Sequence, residues 1–198
     1  MGVLEEDELA FRILWRDDAP TMEAVTFHQA ESPEDKARAG ALIRQYLEWL
    51  QTEAEERYGL HFDVEGMVAS DLADSGKFRP PDGRLYLVRY EGEVVGVGAL
   101  KKLEEGVAEI QRMFVPPEFR GKGLGRAIVE RLVEDARMVG YRQIKLESLS
   151  FLHAAHALYR SMGFEDVEPY GKNSMESFQA RDQLEHYFES TVFMNLAL

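Results

Sequence analysis

The stretch from Glu109 to Arg126 carries the residues whose types and spacing could do chemistry. Gly121, Gly123 and Gly125 stand at alternate positions, interleaved with Arg120, Lys122 and Arg126. Before them runs an apolar, β-branched and aromatic segment that Pro116 and Pro117 must end, since proline cannot extend a sheet ladder. After them an amphipathic helical pattern begins. A strand, a glycine-rich turn and a helix start make an anion site, because main-chain N–H groups converge there and the helix dipole favours negative charge. The same turn with no ligand is simply a tight strand-to-helix connection, and these residues alone leave both readings open. Two phosphate motifs are excluded. The Walker pattern Gly-x-x-x-x-Gly-Lys-Ser/Thr is absent, and the dinucleotide pattern Gly-x-Gly-x-x-Gly fails at Arg126 or at Ile128, depending on where it starts.

The elements that must position this turn can be read around it. Ala24 to Gln29 is a strand, and Ser32-Pro33 opens a long helix to about Tyr58, with Ala39, Leu42, Ile43, Tyr46, Leu47 and Leu50 on one face. Val64 to Leu72 is a shorter helix. Leu85 to Tyr90, Val94 to Leu100 and Val107 to Val115 form three antiparallel strands joined by short turns. The helix from Leu124 stops at Gly140, and Arg142 to Leu149 must then lie parallel to the central strand because a full helix separates them. His153 to Met162 is helical, Phe164 to Glu168 a strand, Pro169 to Asn173 a loop, Ser177 to Phe188 a helix, and Val192 to Leu198 a last strand. Leu9 to Trp15 reads as a short extra strand or helix. Residues 1–23 form an N-terminal extension and 24–198 a single domain.

The 198 residues, 45% of them hydrophobic, suffice for one full core. With no cysteine there is neither a disulfide nor a thiolate nucleophile. No apolar run approaches a membrane span and the acidic start is unlike a signal peptide, which points to the cytoplasm and away from a membrane. The net charge of −13 argues against nucleic acid as a partner. Its distribution is uneven: Met1 to Arg79 holds 8 basic and 18 acidic residues, whereas Gln111 to Arg142 holds 7 basic and 4 acidic. A local cationic window around the glycine turn suits a polyanion.

The pattern Arg120-x-x-Gly123-x-Gly125, between a strand and a helix, resembles the acyl-CoA pyrophosphate loop of the GNAT superfamily of N-acetyltransferases. Downstream, Ala-Leu-Tyr-Arg-Ser-Met-Gly-Phe, ending at Phe164, resembles that superfamily's Leu-Tyr-x-x-x-Gly-Phe signature. The resemblance implies an α/β fold, a mixed sheet of six to seven strands with two splayed central parallel strands flanked by helices. It implies acetyl-CoA as co-substrate and no metal. Main-chain groups of Met113, Phe114 and Val115 would pair with the pantetheine arm, and Arg120, Gly121, Lys122, Gly123, Leu124, Gly125 and Arg126 would hold the pyrophosphate. The N–H near Phe114 would face the oxygen where charge develops.

Two catalytic positions follow from the same resemblance. Glu109 stands eleven positions before Arg120, where some members carry a general base; on its own residues it could equally be a surface strand glutamate pairing with Lys101 or Lys102. Glu147 is a second candidate, as base or as contact for the substrate ammonium. Tyr159 is the tyrosine that the family uses as acid toward the departing thiolate, or else a core tyrosine beside Leu158 and Phe164. Leu152 replaces an asparagine that many members direct at the pantetheine. His153 and His156 share a helix face but lack a third metal ligand, and no oriented acid completes a triad with Ser148 or Ser150. Trp49, Tyr58, Phe62 and Phe78 read as core rather than substrate contacts.

The expected activity is transfer of an acetyl group from acetyl-CoA to a small cationic or amino-acid-like primary amine, directly in a ternary complex. The alternatives are a protein N-terminus or lysine as acceptor, and a non-catalytic acyl-CoA sensor. The last strand, taken as a sheet edge, would allow a homodimer.

Overall fold

A computed structural model describes residues 25–73, 76–170 and 183–198. The expectations for residues 1–24, for most of the 169–173 loop and for the first part of the 177–188 helix lie outside them.

The chain begins with strand β1 (Val25–Gln29) and helix α1 (Pro33–Tyr58). Ser32 caps α1 by accepting the Asp35 N–H at 3.1 Å, and Gly59 ends it in the left-handed conformation. Helix α2 (Val64–Leu72) follows. Strands β2 (Arg84–Tyr90), β3 (Glu93–Glu104) and β4 (Val107–Phe114) then form an antiparallel meander. The glycine turn leads into α3 (Leu124–Val139), which returns the chain to β5 (Gln143–Leu149). Helix α4 (His153–Ser161), strand β6 (Glu165–Val167), helix α5 (Leu184–Glu189) and strand β7 (Thr191–Ala197) complete the described chain.

The seven strands form one mixed sheet in the order β1-β2-β3-β4-β5-β7-β6. The expected fold class is therefore present, including the parallel pair β4 and β5. One expectation is corrected. Strand β7 is interior, pairing with β5 through Leu149↔Thr191 on one side and with β6 through Val167↔Phe193 on the other, so the sheet's edge strand on this side is β6 and not β7.

Apolar side chains pack on both faces of the sheet. On one face Leu124, Ile128, Leu132 and Ala136 of α3 and Tyr159 of α4 meet Ala108, Ile110, Ile144 and Leu146. Gly98 of β3 makes this close approach feasible: a Cβ there would lie 2.5 Å from Cγ2 of Ile128. On the other face Ile43, Leu47 and Leu50 of α1 and Met67 of α2 meet Val97, Ala99, Phe114, Leu149 and Phe193. Buried on both sides, β4 carries its glutamate, glutamine and arginine inside the protein.

Candidate active site

The ladder between β4 and β5 is short. Only Val107↔Gln143, Ala108↔Ile144 and Glu109↔Lys145 pair, and beyond Glu109 the two strands part. A cavity of about 370 Å³ opens where they separate. Its walls are Ile110–Phe114 of β4 with Val115 just after it, and Leu146–Ser148 of β5, with Tyr46 and Trp49 of α1 on one side and Tyr159 of α4 on the other. Strand residues without a neighbour must satisfy their main-chain groups elsewhere, so the gap is shaped for an extended polar chain. Met113, Phe114 and Val115, expected to meet the pantetheine arm, all line it. So does Leu152, an apolar surface at the position where many members carry asparagine.

The glycine turn lies at one end of this gap. Gly121 and Gly123 have φ of 78° and 75°, and Gly123 is the N-cap of α3. The first N–H groups of that helix, from Leu124 to Arg126, have no intrahelical acceptor. Arg120 donates from Nε to the Val115 carbonyl at 3.0 Å and stacks its guanidinium over Trp49, while Arg126 reaches Ser161 Oγ at 2.7 Å. Arg120 and Gly125 line the cavity itself; Gly121, Lys122, Gly123, Leu124 and Arg126 do not. Gly125 packs against α4, where a Cβ would meet Leu158 at 3.3 Å.

The two candidate bases part company. Glu109 is fully buried rather than at the surface, although the expected partner is there: Lys101 Nζ lies 3.0 Å from Oε2. Gln111 Nε2 donates to the same oxygen at 2.7 Å, and the Tyr170 hydroxyl donates to Oε1 at 3.2 Å. Glu109 is not among the cavity's lining residues. Glu147 is, and its Oε2 has no hydrogen-bond partner among the described residues. Burial, and then the negative charge of Glu109, pushes the Glu147 carboxyl up to about 8.

Tyr159 faces the gap from the other side of the sheet. Among the described residues its hydroxyl donates only to Met113 Sδ, at 3.6 Å, a weak acceptor, and burial raises its pKa above that of an ordinary phenol. The Tyr159 group thus remains a neutral O–H donor at every pH of interest. A carboxylate lies on the α1 face of the gap and a phenol on the α3 face.

One feature was not singled out from the sequence. In β4, Gln111 stands opposite Ala99 and Phe114 opposite Val97, so Arg112 and Met113 together face the single residue Gly98. This bulge gives Arg112 a φ of 52°, a conformation costing an arginine about 1 kcal/mol or more. It also breaks the alternation of sides. Residues 109 and 111 face α1 and α2, and Arg112 turns to that same face, where Asp71 of α2 receives both its Nε and its Nη2. Lys77 Nζ pairs with Asp71 Oδ1 at 2.5 Å, the oxygen that Arg112 Nη2 also reaches. The signal available in the sequence was an arginine within a strand too apolar to be exposed.

Among the expected core aromatics, Phe62 and Phe78 are buried, Tyr58 bonds Ser150 Oγ at 2.7 Å, and Trp49 forms cavity wall. His153 also lines the cavity, and His156 bonds Ser148 Oγ at 3.1 Å. Among the described residues no group of three or more metal-ligating side chains converges, and no helix is long and apolar enough to cross a membrane.

Comparison with known proteins agrees with this geometry. A model of the acetyltransferase (GNAT) family matches residues 43–164. The IAA acetyltransferase of Azospirillum brasilense is 38% identical over 110 residues, 55% of this chain and 72% of that protein. The N-acetylaspartate synthetase of Rattus norvegicus is 35% identical over 104 residues, 51% of this chain but only 35% of its own length. The structure of YncA from Salmonella typhimurium with its cofactor acetyl-CoA superposes with a TM-score of 0.57 at 21% identity, covering 88% of this chain and 94% of that one. A sheet parted at its parallel pair, with a glycine turn at the end of the gap, defines an acetyl-CoA-dependent N-acetyltransferase. The chain belongs to the acetyltransferase (GNAT) family.

Proposed function

We propose that this enzyme acetylates the amine of a small, amino-acid-like molecule by direct transfer, with acetyl-CoA and acceptor bound together. The observation that carries the reading is the placement of Glu147 and Tyr159 on opposite faces of one gap. The thioester lies between them, its pantetheine arm along Met113, Phe114 and Val115 and its pyrophosphate on the main chain from Arg120 to Arg126. Glu147 accepts a proton from the amine as nitrogen attacks the thioester carbon. The oxygen gathers charge near the Phe114 N–H, the C–S bond breaks, and Tyr159 gives its proton to the leaving thiolate. Direct attack also suits a chain without cysteine, which has no thiol to carry the acyl group.

Glu109 takes a supporting part in this scheme. Held by Lys101, Gln111 and Tyr170, its fixed charge helps to keep the Glu147 carboxyl near neutral pKa, where a base is effective. An amino-acid-like acceptor is in keeping with a gap of modest volume and with the name of one relative, N-acetylaspartate synthetase.

The test is a thiol-release screen of amines and amino acids with acetyl-CoA. Steady thiol release with formation of the N-acetyl product is expected. Tight acetyl-CoA binding without release on any amine would replace the enzymatic reading with that of a sensor, and release only with peptides would move the acceptor to a protein N-terminus or lysine.

A further inference from the structure

The acceptor's amine accounts for Glu147, but nothing in acetyl transfer itself requires an arginine in the same gap. Arg112 lines both the main cavity and a small recess of about 60 Å³ beyond it, and Glu147 lines the same two spaces. Three features set this arginine apart from an ordinary buried ion pair. Its backbone is held in an unfavourable conformation at the bulge, which turns the side chain to the face it would otherwise leave. Its guanidinium is braced along one edge by Asp71, and a guanidinium has five N–H donors in a planar fork. Among the described residues Asp71 accepts from its Nε and Nη2, and the arginine that it braces lines both the gap and the recess.

Charge points the same way. Asp71 serves Arg112 and Lys77 together, while Lys101 is matched by Glu109. Among the described residues these three cations stand against the two carboxylates paired with them, and the Glu147 carboxyl, pushed up to about 8 by burial, lies beside Arg112. With Arg112 on one wall and Glu147 on another, the recess offers a cation and a carboxyl to one small molecule.

We propose that Arg112, braced by Asp71, binds a carboxylate of the acceptor, so that the substrates are amino acids in which an α-amino group and a carboxylate are read together by Glu147 and Arg112. This rests on the acetyl-transfer reading above. The carboxylate anchors the molecule in the recess and aims the amine at the gap. Acceptors without a carboxylate lose the anchor, and their KM rises while the chemistry of the gap is untouched.

The experiment compares each of several amino acids, among them alanine, methionine, phenylalanine and aspartate, with its methyl ester (the α-ester for aspartate) and with the matching amine that lacks the α-carboxylate. Thiol release from acetyl-CoA is followed with the wild-type protein. For the preferred side chain the free acid should exceed both ester and amine by about 10- to 100-fold in kcat/KM, with most of the difference in KM. The comparison is stringent because esterification makes the amine easier to deprotonate. In Arg112→Gln the acid-to-ester ratio should fall to about unity, read as a ratio so that a general loss of rate does not imitate it. Esters or plain amines reacting as well as the acids in the wild-type protein would overturn the proposal while leaving acetyl transfer standing, and this arm needs no variant to fold. An unchanged acid-to-ester preference in folded Arg112→Gln would overturn it as well. If neither acid, ester nor amine releases thiol, the acetyl-transfer reading falls first and this one with it.

Discussion

Replacing Glu147 by glutamine tests the proposed base in both kinetics and stability. With its carboxyl pushed up to about 8, the base form is about a tenth of the enzyme at pH 7 and about nine tenths at pH 9. At saturating acceptor, kcat of the wild-type protein should therefore rise about tenfold between these two values and level off. An acceptor amine with a pKa of about 10 changes its neutral fraction about 100-fold over the same window, but at saturating acceptor this free-amine titration enters kcat/KM rather than kcat, in wild type and variant alike. In Glu147→Gln the limb near pH 8 should vanish, and kcat at pH 9 should fall by about 10²- to 10⁴-fold. Stability supplies a readout without turnover. A carboxyl whose folded pKa lies above its unfolded value favours the fold while protonated, so this contribution is full at low pH and is lost as pH rises through about 8. The loss is at most about 5 kcal/mol for a shift from 4.5 to about 8. Chemical denaturation should thus find Glu147→Gln more stable than wild type at pH 9, with the difference shrinking toward pH 6. A wild-type kcat that is flat from pH 7 to 9, or a glutamine variant that keeps the same limb, refutes the assignment.

Three further perturbations have defined outcomes. Tyr159→Phe should lower turnover about tenfold or more while calorimetry finds acetyl-CoA affinity nearly unchanged, because only the proton for the thiolate is lost. Gly123→Ala forces a Cβ into a left-handed N-cap at φ 75° and should weaken coenzyme A binding by about tenfold, a shift that calorimetry reads directly. Gly98→Ala places a methyl group 2.5 Å from Ile128 and should cost about 1–3 kcal/mol of unfolding free energy, measured by urea titration.

Local punctuation made most of the architecture legible. Ser32-Pro33, Gly59, Pro116-Pro117 and Gly140 mark where elements start and stop: both ends of α1 and the C-terminal ends of β4 and α3 fall within two residues of them. The position of β7 was not legible, because it depends on pairing such as Glu147↔Phe193 between residues distant along the chain. Nor could alternation alone rank the two glutamates: Glu109 and Glu147 both lie in the central strands, and which one meets the cavity depends on where the parallel ladder ends. Arg112 was hidden for a related reason. A period of two assigns it to the α3 face, and only the bulge opposite Gly98 sends it to Asp71.

The short parallel ladder divides the protein into two half-sheets, β1 to β4 on one side and β5, β7 and β6 on the other, spliced directly at just three residue pairs. A thioester arm with its own amide groups acts in such a gap as the missing segment of a strand. In the proposed complex, loading the enzyme would complete its scaffold as well as its chemistry: the two halves would become mechanically continuous, and the reacting groups on their facing rims would acquire a common frame of reference.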